Sequence, residues 1–228
     1  KVRSGEIVGL FGLMGSGRTE IAEGIFGKRR IIDGSVKVNG KRIKLKSPES
    51  AIKAEIAYIP RERKNEGLVL SSSVKENMTL AYLKQLQRFL SLKLKEENEL
   101  VSKWVQKLKI KTPSINTQIE SLSGGNQQKV VIGKWLLKKT KVLILNEPTR
   151  GIDVGAKVEV YKLIEDLCKN GMAILMISSE MPEIMGISDR IIVVHDGRIT
   201  GEFNRGEFDQ KKVLFTAIGG DKNEIRKH

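Results

Sequence analysis

Cysteine is nearly absent from this sequence: Cys168 stands alone in 228 residues. That excludes a disulfide framework and suits a reducing compartment. Cys168 falls on the apolar face of a helical stretch and reads as a small core residue. No apolar run approaches the roughly eighteen residues that a membrane-spanning helix needs, and no signal peptide is visible. Aromatic residues are scarce, at 5%, and do not alternate with basic ones, as a stacking platform for single-stranded nucleic acid requires. Acidic residues are outnumbered: 41 Lys and Arg against 27 Asp and Glu give a net charge of +14. The basic charges are spread along the whole chain. They therefore read as a Lys-rich solvated surface rather than a patch for nucleic acid or an anionic membrane leaflet. There is no internal repeat or low-complexity stretch, and the length fits one domain with room for an inserted subdomain.

What is present is concentrated in three stretches. The first, Gly12-Leu-Met-Gly-Ser-Gly-Arg-Thr19, lies between a strand (Ile7 to Leu10) and a helical run (Glu20 to Phe26). Strand, glycine-rich loop and helix in that order form the context in which backbone N–H groups curl around phosphate oxygens. The second, Ser121-Leu-Ser-Gly-Gly-Asn-Gln-Gln-Lys-Val130, is a Ser-Gly-Gly turn opening a helix (Gly125 to Leu137). Its unpaired N–H groups and dipole also suit an anion. The third, Val142-Leu-Ile-Leu-Asn-Glu-Pro-Thr-Arg-Gly-Ile-Asp153, reads as a buried parallel strand ending in Asn146-Glu147. Such strand ends are where open α/β sheets bind ligands. Pro148 stops the strand.

Between these stretches, alternation about Asn39-Gly40 predicts a hairpin over 34–45. Ser47-Pro48-Glu49 predicts a helix start, and Ile56 to Ile59 a buried strand. Arg61 to Leu68 reads as a charged loop, and Ser73-Val-Lys-Glu76 as a capping box. Leu100/Val101, Trp104/Val105 and Leu108 recur at helical spacing, with Trp104 a core residue. Gly155 to Lys169 reads as an amphipathic helix with Val158, Tyr161, Leu163/Ile164 and Leu167 inward. Ala173 to Ile177 is a strand leading into Ser178-Ser179-Glu180. A hairpin over 191–203 turns at His195-Asp-Gly-Arg198, where His195 is no catalyst. A surface helix from Glu207 runs to Gly219-Gly220 and a charged end expected to be mobile.

The order and spacing of the three stretches resemble the Walker A loop, signature motif and Walker B strand of the ATP-binding-cassette (ABC) ATPases. Further segments narrow the resemblance: Arg61-Glu-Arg-Lys-x-x-Gly-Leu68, Glu147-Pro-Thr-Arg-Gly-Ile-Asp-Val-Gly-Ala-Lys157 and Ile177-Ser-Ser-Glu-Met-Pro-Glu183. Together they look like the second, C-terminal cassette of the two-cassette ATPases that drive bacterial monosaccharide importers. Because the first residue is not Met, a fragment of a longer chain is expected, lacking the strands that carry the adenine-stacking aromatic.

The resemblance implies an α/β P-loop NTPase fold, RecA-like, with a mostly parallel sheet, antiparallel hairpins and an inserted helical subdomain. It implies one nucleotide-binding domain over 1–228, with the core at 1–60 and 141–228. The helical subdomain, carrying the signature, falls at 61–140. Gly12, Gly15, Ser16, Gly17, Arg18, Thr19 and Glu20 would hold ATP, with Thr19 and Asn146 on Mg²⁺. Glu147 matches the catalytic base, and Ser179 the position of a γ-phosphate contact. Ser123, Gly124, Gly125 and Asn126 would cap ATP bound to a partner cassette. Arg61 and Glu62 would couple to the membrane subunits, and Asp153 matches the aspartate of the D-loop.

Three departures from the family pattern are visible. Arg18 replaces a Lys, presenting a planar fork for a point charge. Asn146 replaces an Asp, and Ser179 a His. A Gln usual near Arg61 or Glu62 is also missing. The implied partners are another cassette, transmembrane permease subunits and, indirectly, an extracellular sugar-binding protein, with the chain peripheral on the cytoplasmic face of the membrane. Two alternatives are a soluble ABC ATPase acting on nucleic acid or ribosomes, which only the net charge supports, and a nucleotide sensor without turnover.

Overall fold

The computed structural model describes residues 1–88 and 91–220; the charged end expected to be mobile falls outside them. In chain order, β1 (Ile7–Phe11) leads to α1 (Arg18–Ile25), the hairpin β2 (Val36–Val38) and β3 (Lys41–Ile43), α2 (Pro48–Lys53) and β4 (Ile56–Ile59). One π-helical turn (Arg63–Gly67) precedes α3 (Val74–Thr79), α4 (Leu83–Leu86), the short pair β5 (Gln87–Arg88) and β6 (Ser91–Leu92), α5 (Leu94–Lys107) and α6 (Gly124–Leu136). Then follow β7 (Val142–Asn146), α7 (Val154–Lys169), β8 (Ala173–Ile177), α8 (Met181–Ile187), β9 (Arg190–His195), β10 (Arg198–Asn204) and α9 (Gln210–Ala217).

Among the described residues, one six-stranded sheet runs in the order β10-β9-β1-β8-β7-β4. β1 pairs in parallel with both β8 and β9, β7 pairs in parallel with β8, and only β9 and β10 are shown antiparallel. β1, β4 and β8 are buried at every residue, as expected of strands covered on both faces. Burying side chains such as Ile144, Leu145, Ile174 and Ile177 contributes about 1.5–3 kcal/mol each, so the strands form a stiff platform. Their C-terminal ends release the chain at Gly12, Glu147 and Ser178. The 34–45 stretch folds as the predicted hairpin, with Asn39 and Gly40 both at positive φ, 51° and 77°, as a type I′ turn needs.

The chain divides into two compact units: residues 1–58, 141–148 and 165–228, and residues 59–140 and 149–164. In this division residues 59–60 and 149–164 group with the 61–140 segment. The cause is local: Arg63 binds the carbonyls of Arg150 and Gly151, and Gly125 abuts Ala156. In the second unit α3 packs on α5 and α6, burying Val74, Met78, Val101, Val130 and Ile132.

Three local readings are corrected. The charged stretch after β4 is not a loop throughout but contains the π turn. On α7 the buried stripe is Val160, Ile164 and Cys168, four residues apart; Val158 lies on another face and is 47% exposed. Trp104 is half-buried rather than core, with Lys107 Nζ 4.6 Å from its ring centroid. Cys168 is buried, as expected, and burial pushes its thiol pKa up.

Candidate nucleotide site

The loop after β1 is built for close approach. Gly15 and Gly17 have φ of 83° and 97°, a left-handed geometry that residues with a Cβ rarely adopt. A Cβ at Gly12 would collide with Ser16 and the Val194 carbonyl. Gly17 caps α1 without a side-chain bond, so the first-turn N–H groups face outward. Ser16 is buried with its Oγ unpartnered among the described residues. Beside the loop opens a cavity of about 890 Å³, lined by Gly15, Gly17, Glu20, Ile21, Ile32 and Gly197 among others. Thr19 is half-buried and Glu20 exposed.

Arg18 does not project into that space. Its guanidinium is buried, and Nη1 donates to the carbonyls of Gly12 at 2.7 Å and Ser178 at 2.9 Å. Nη2 donates to Oε1 of Glu147 at 3.2 Å. The other oxygen of Glu147, Oε2, accepts from Ser179 Oγ at 3.2 Å. Arg18, Glu147 and Ser179 thus form one cluster at the ends of β1, β7 and β8. Glu147 is held at φ 49°, a left-handed conformation that costs a non-glycine residue on the order of 1 kcal/mol or more. Its N–H continues the strand ladder to Ile177 O at 2.8 Å.

Asn146 donates Nδ2 to the Tyr58 hydroxyl at 3.0 Å, while its Oδ1 is buried and unpartnered among the described residues. An orphaned buried acceptor is costly unless something fills it. Together with the Thr19 hydroxyl, this oxygen fits the all-oxygen preference of Mg²⁺. The amide brings one negative charge fewer than a carboxylate.

A second group of predicted residues lies in the other unit. Asn126 Nδ2 donates to Ser123 Oγ at 2.9 Å, and Asn126 Oδ1 accepts from the Lys111 N–H at 2.8 Å. These residues line a cavity of about 310 Å³ with Gly125, Asp153 and Glu159. The glycines are fixed by close neighbours: a Cβ at Gly124 would stand 2.7 Å from Arg63 Nη2, and one at Gly125 2.5 Å from Ala156 Cβ. Asp153 accepts from the Ala156 N–H at 2.9 Å, capping α7. Lys129, buried, donates to Glu159 at 2.7 Å, and that bond lowers the Glu159 pKa.

Arg61 and Glu62, predicted to couple, line a cavity of about 270 Å³ with Arg63, Lys64 and Arg150. Glu62 pairs with Arg150. The residue that sequence reading passed over is Arg63. It is buried, and burial lowers its pKa from the ordinary value, with Glu62 opposing. Nothing in the run Arg61-Glu-Arg-Lys64 distinguishes this cation from its neighbours.

The model of the family described as ABC transporter matches residues 1–150. The ribose import ATP-binding protein RbsA of Caldanaerobacter subterraneus subsp. tengcongensis is 50% identical over 96% of this chain and 45% of its own length. The xylose import ATP-binding protein XylG of Thermoanaerobacter pseudethanolicus is 51% identical over 96% of this chain and 44% of its own length. The chain therefore spans less than half of either relative. The crystal structure of a nucleotide-free ATP-binding cassette from an ABC transporter superposes with a TM-score of 0.77, at 22% identity, over 96% of this chain and 90% of that one. With the P-loop sheet and the matched family model together, the chain belongs to the ABC transporter family of ATPase domains.

Proposed function

We propose that this chain is the second cassette of a sugar-importer ATPase, binding ATP–Mg²⁺ and hydrolysing it slowly at its own site. The observation that carries the reading is the Arg18–Glu147–Ser179 cluster beside an intact glycine loop. Gly12 to Thr19 would receive the phosphates through backbone N–H groups, and Glu20 to Ile32 would border the rest of the nucleotide. Bound Mg²⁺, held by Thr19 and Asn146, would neutralise phosphate charge. Glu147 is the base that would polarise the attacking water. Here, however, its two oxygens already accept from Arg18 and Ser179.

Phosphoryl transfer depends mainly on positioning and electrostatic stabilisation, each such term being worth up to about 3 kcal/mol, roughly a hundredfold in rate. Three altered groups beside one retained carboxylate give a site that binds better than it turns over. The segments 1–60 with 141–228, and 61–140, would serve as core and helical subdomain. Ser123, Gly124, Gly125 and Asn126 would close on ATP held by the other cassette. Permease subunits would meet Arg61 and Glu62 on the cytoplasmic face of the membrane, and a sugar-binding protein would act through them. The names of the ribose and xylose relatives support the substrate class.

The test is nucleotide binding and phosphate release by the chain. Retention of a fluorescent ATP analogue with turnover well under one per minute is expected. Rapid hydrolysis that disappears in Glu147→Gln would overturn the slow-site reading, and failure to bind nucleotide would overturn the whole.

A further inference from the structure

Arg63 makes more long-range bonds than either predicted coupling residue beside it. Nη1 donates to Arg150 O at 2.5 Å, Nη2 to Gly151 O at 2.9 Å, and Nε to Gln127 Oε1 at 3.4 Å. A planar fork spends its donors on two successive carbonyls and one amide oxygen, which an ammonium on a flexible stem cannot reproduce. All its partners are in the same unit. Gln127 is one turn into α6, and Arg150 and Gly151 follow Glu147-Pro148-Thr149 in the chain. Gly124, the first residue of α6, leaves room for the guanidinium. At the other end of the π turn, Lys134 Nζ, also on α6, donates to Gly67 O at 2.6 Å. π turns are rare and are frequently found at functional sites.

We propose that Arg63 is the positioning residue that ties the 61–67 segment to the start of the signature helix and to the 150–151 turn. Displacement of the segment by whatever binds Arg61 and Glu62 is then transmitted to both. The proposal rests on the ATPase reading above but assigns a part of it to a residue that no motif marks. The carbonyls of Arg150 and Gly151 are exposed to replacement by water if Arg63 leaves. The fork therefore sets a geometry rather than supplying most of the unit's stability, which lies in the Val74–Met78–Val130–Ile132 packing.

The test uses the full two-cassette protein assembled with its permease, carrying Arg63→Lys, with Arg63→Met beside it. Expected for Arg63→Lys is a fall in ATPase kcat of tenfold or more, with KM for ATP within twofold and a melting temperature within about 2 °C of wild type. Arg63→Met should fall further, so the conservative variant rescues in part. Hydrogen exchange of the 149–156 peptide should rise at least fivefold in Arg63→Lys, a readout that survives weak activity. Unchanged kcat, unchanged exchange, or a kcat loss that only follows a falling melting temperature would each overturn the assignment. Absence of ATP binding in the wild-type protein would instead sink the ATPase reading itself.

Discussion

Arg18 Nη2 lies 3.2 Å from Glu147 Oε1, with both side chains less than a tenth exposed. The pair joins the position of an expected phosphate ligand to that of the expected base, so each side chain is a partner of the other. Removing one partner of a buried pair leaves an uncompensated charge and costs about 3–5 kcal/mol. Arg18→Met also strips a donor from the Gly12 and Ser178 carbonyls. A loss in that range is expected by urea unfolding. Glu147→Gln also leaves the Arg18 charge without its counter-charge, but Arg18 keeps an acceptor there and both carbonyls, so its loss should be smaller than that of Arg18→Met. Equal losses would mean that the ion pair, which both variants lose, and not the carbonyl bonds that Glu147→Gln retains, holds the cluster together.

Much of this was legible in the residues, and the reason is physical. Buried strands such as Ile56 to Ile59 and Ala173 to Ile177 are short apolar runs closed by polar or proline stops. Their limits follow from composition and local backbone chemistry. The glycine loop and the Ser123 turn are likewise local. The fate of Arg18 was not legible, since its partners Glu147 and Ser178 are 129 and 160 residues away and meet it only through strand order. Arg63 escaped for the same reason. Val158 was misassigned because α7 offers two overlapping apolar spacings, and only packing selects Val160, Ile164 and Cys168.

Lys134 gives a pH signature. Burial pushes its pKa down from 10.5 to about 8; its ammonium donates to the neutral Gly67 carbonyl and lies 5.6 Å from the Trp135 ring centroid. Because the folded value lies below the unfolded one, the unfolded chain binds more protons between about pH 8 and 10.5. Stability therefore rises with pH across that window, and the penalty on the charged form is fully present below pH 8. Between pH 7 and 9.5 the wild type should gain about 2 kcal/mol relative to Lys134→Met. Parallel urea titrations at the two pH values measure the difference; a gap that stays constant would place the ammonium in contact with solvent.

The surplus of positive charge should not constitute a specific nucleic-acid site. Several of its members are committed to structure: Arg18, Arg63, Lys129, Lys134 and Arg190 are buried, and Arg190 pairs with Glu6 and Glu202. Diffuse binding to phosphates weakens steeply with salt. Any affinity for DNA or RNA should be lost by about 200 mM salt in a fluorescence-anisotropy titration. Submicromolar binding that persists there would revive the soluble nucleic-acid or ribosome reading.

The sharpest expectation is that two surfaces of this chain respond differently to mutation. Ser123, Gly125 and Asn126 line an open cavity at the start of α6, where helix geometry leaves N–H groups free and the dipole favours an anion. At the proposed phosphate site, by contrast, the candidate base Glu147 is paired with Arg18, and the position proposed for magnesium offers the amide oxygen of Asn146. If the chain is, as proposed, one cassette of a two-cassette importer ATPase, then in that full protein with its membrane subunits Ser123→Arg would place a long side chain where the γ-phosphate of the other cassette must approach. Closure would be blocked, and transport should fall to background. Glu147→Gln disables a carboxylate that is already occupied, so at least half of transport and ATPase activity should remain. Measuring both variants in the same reconstituted vesicles separates the cases. Equal loss from the two changes would show that Glu147 carries turnover and that the two sites work symmetrically.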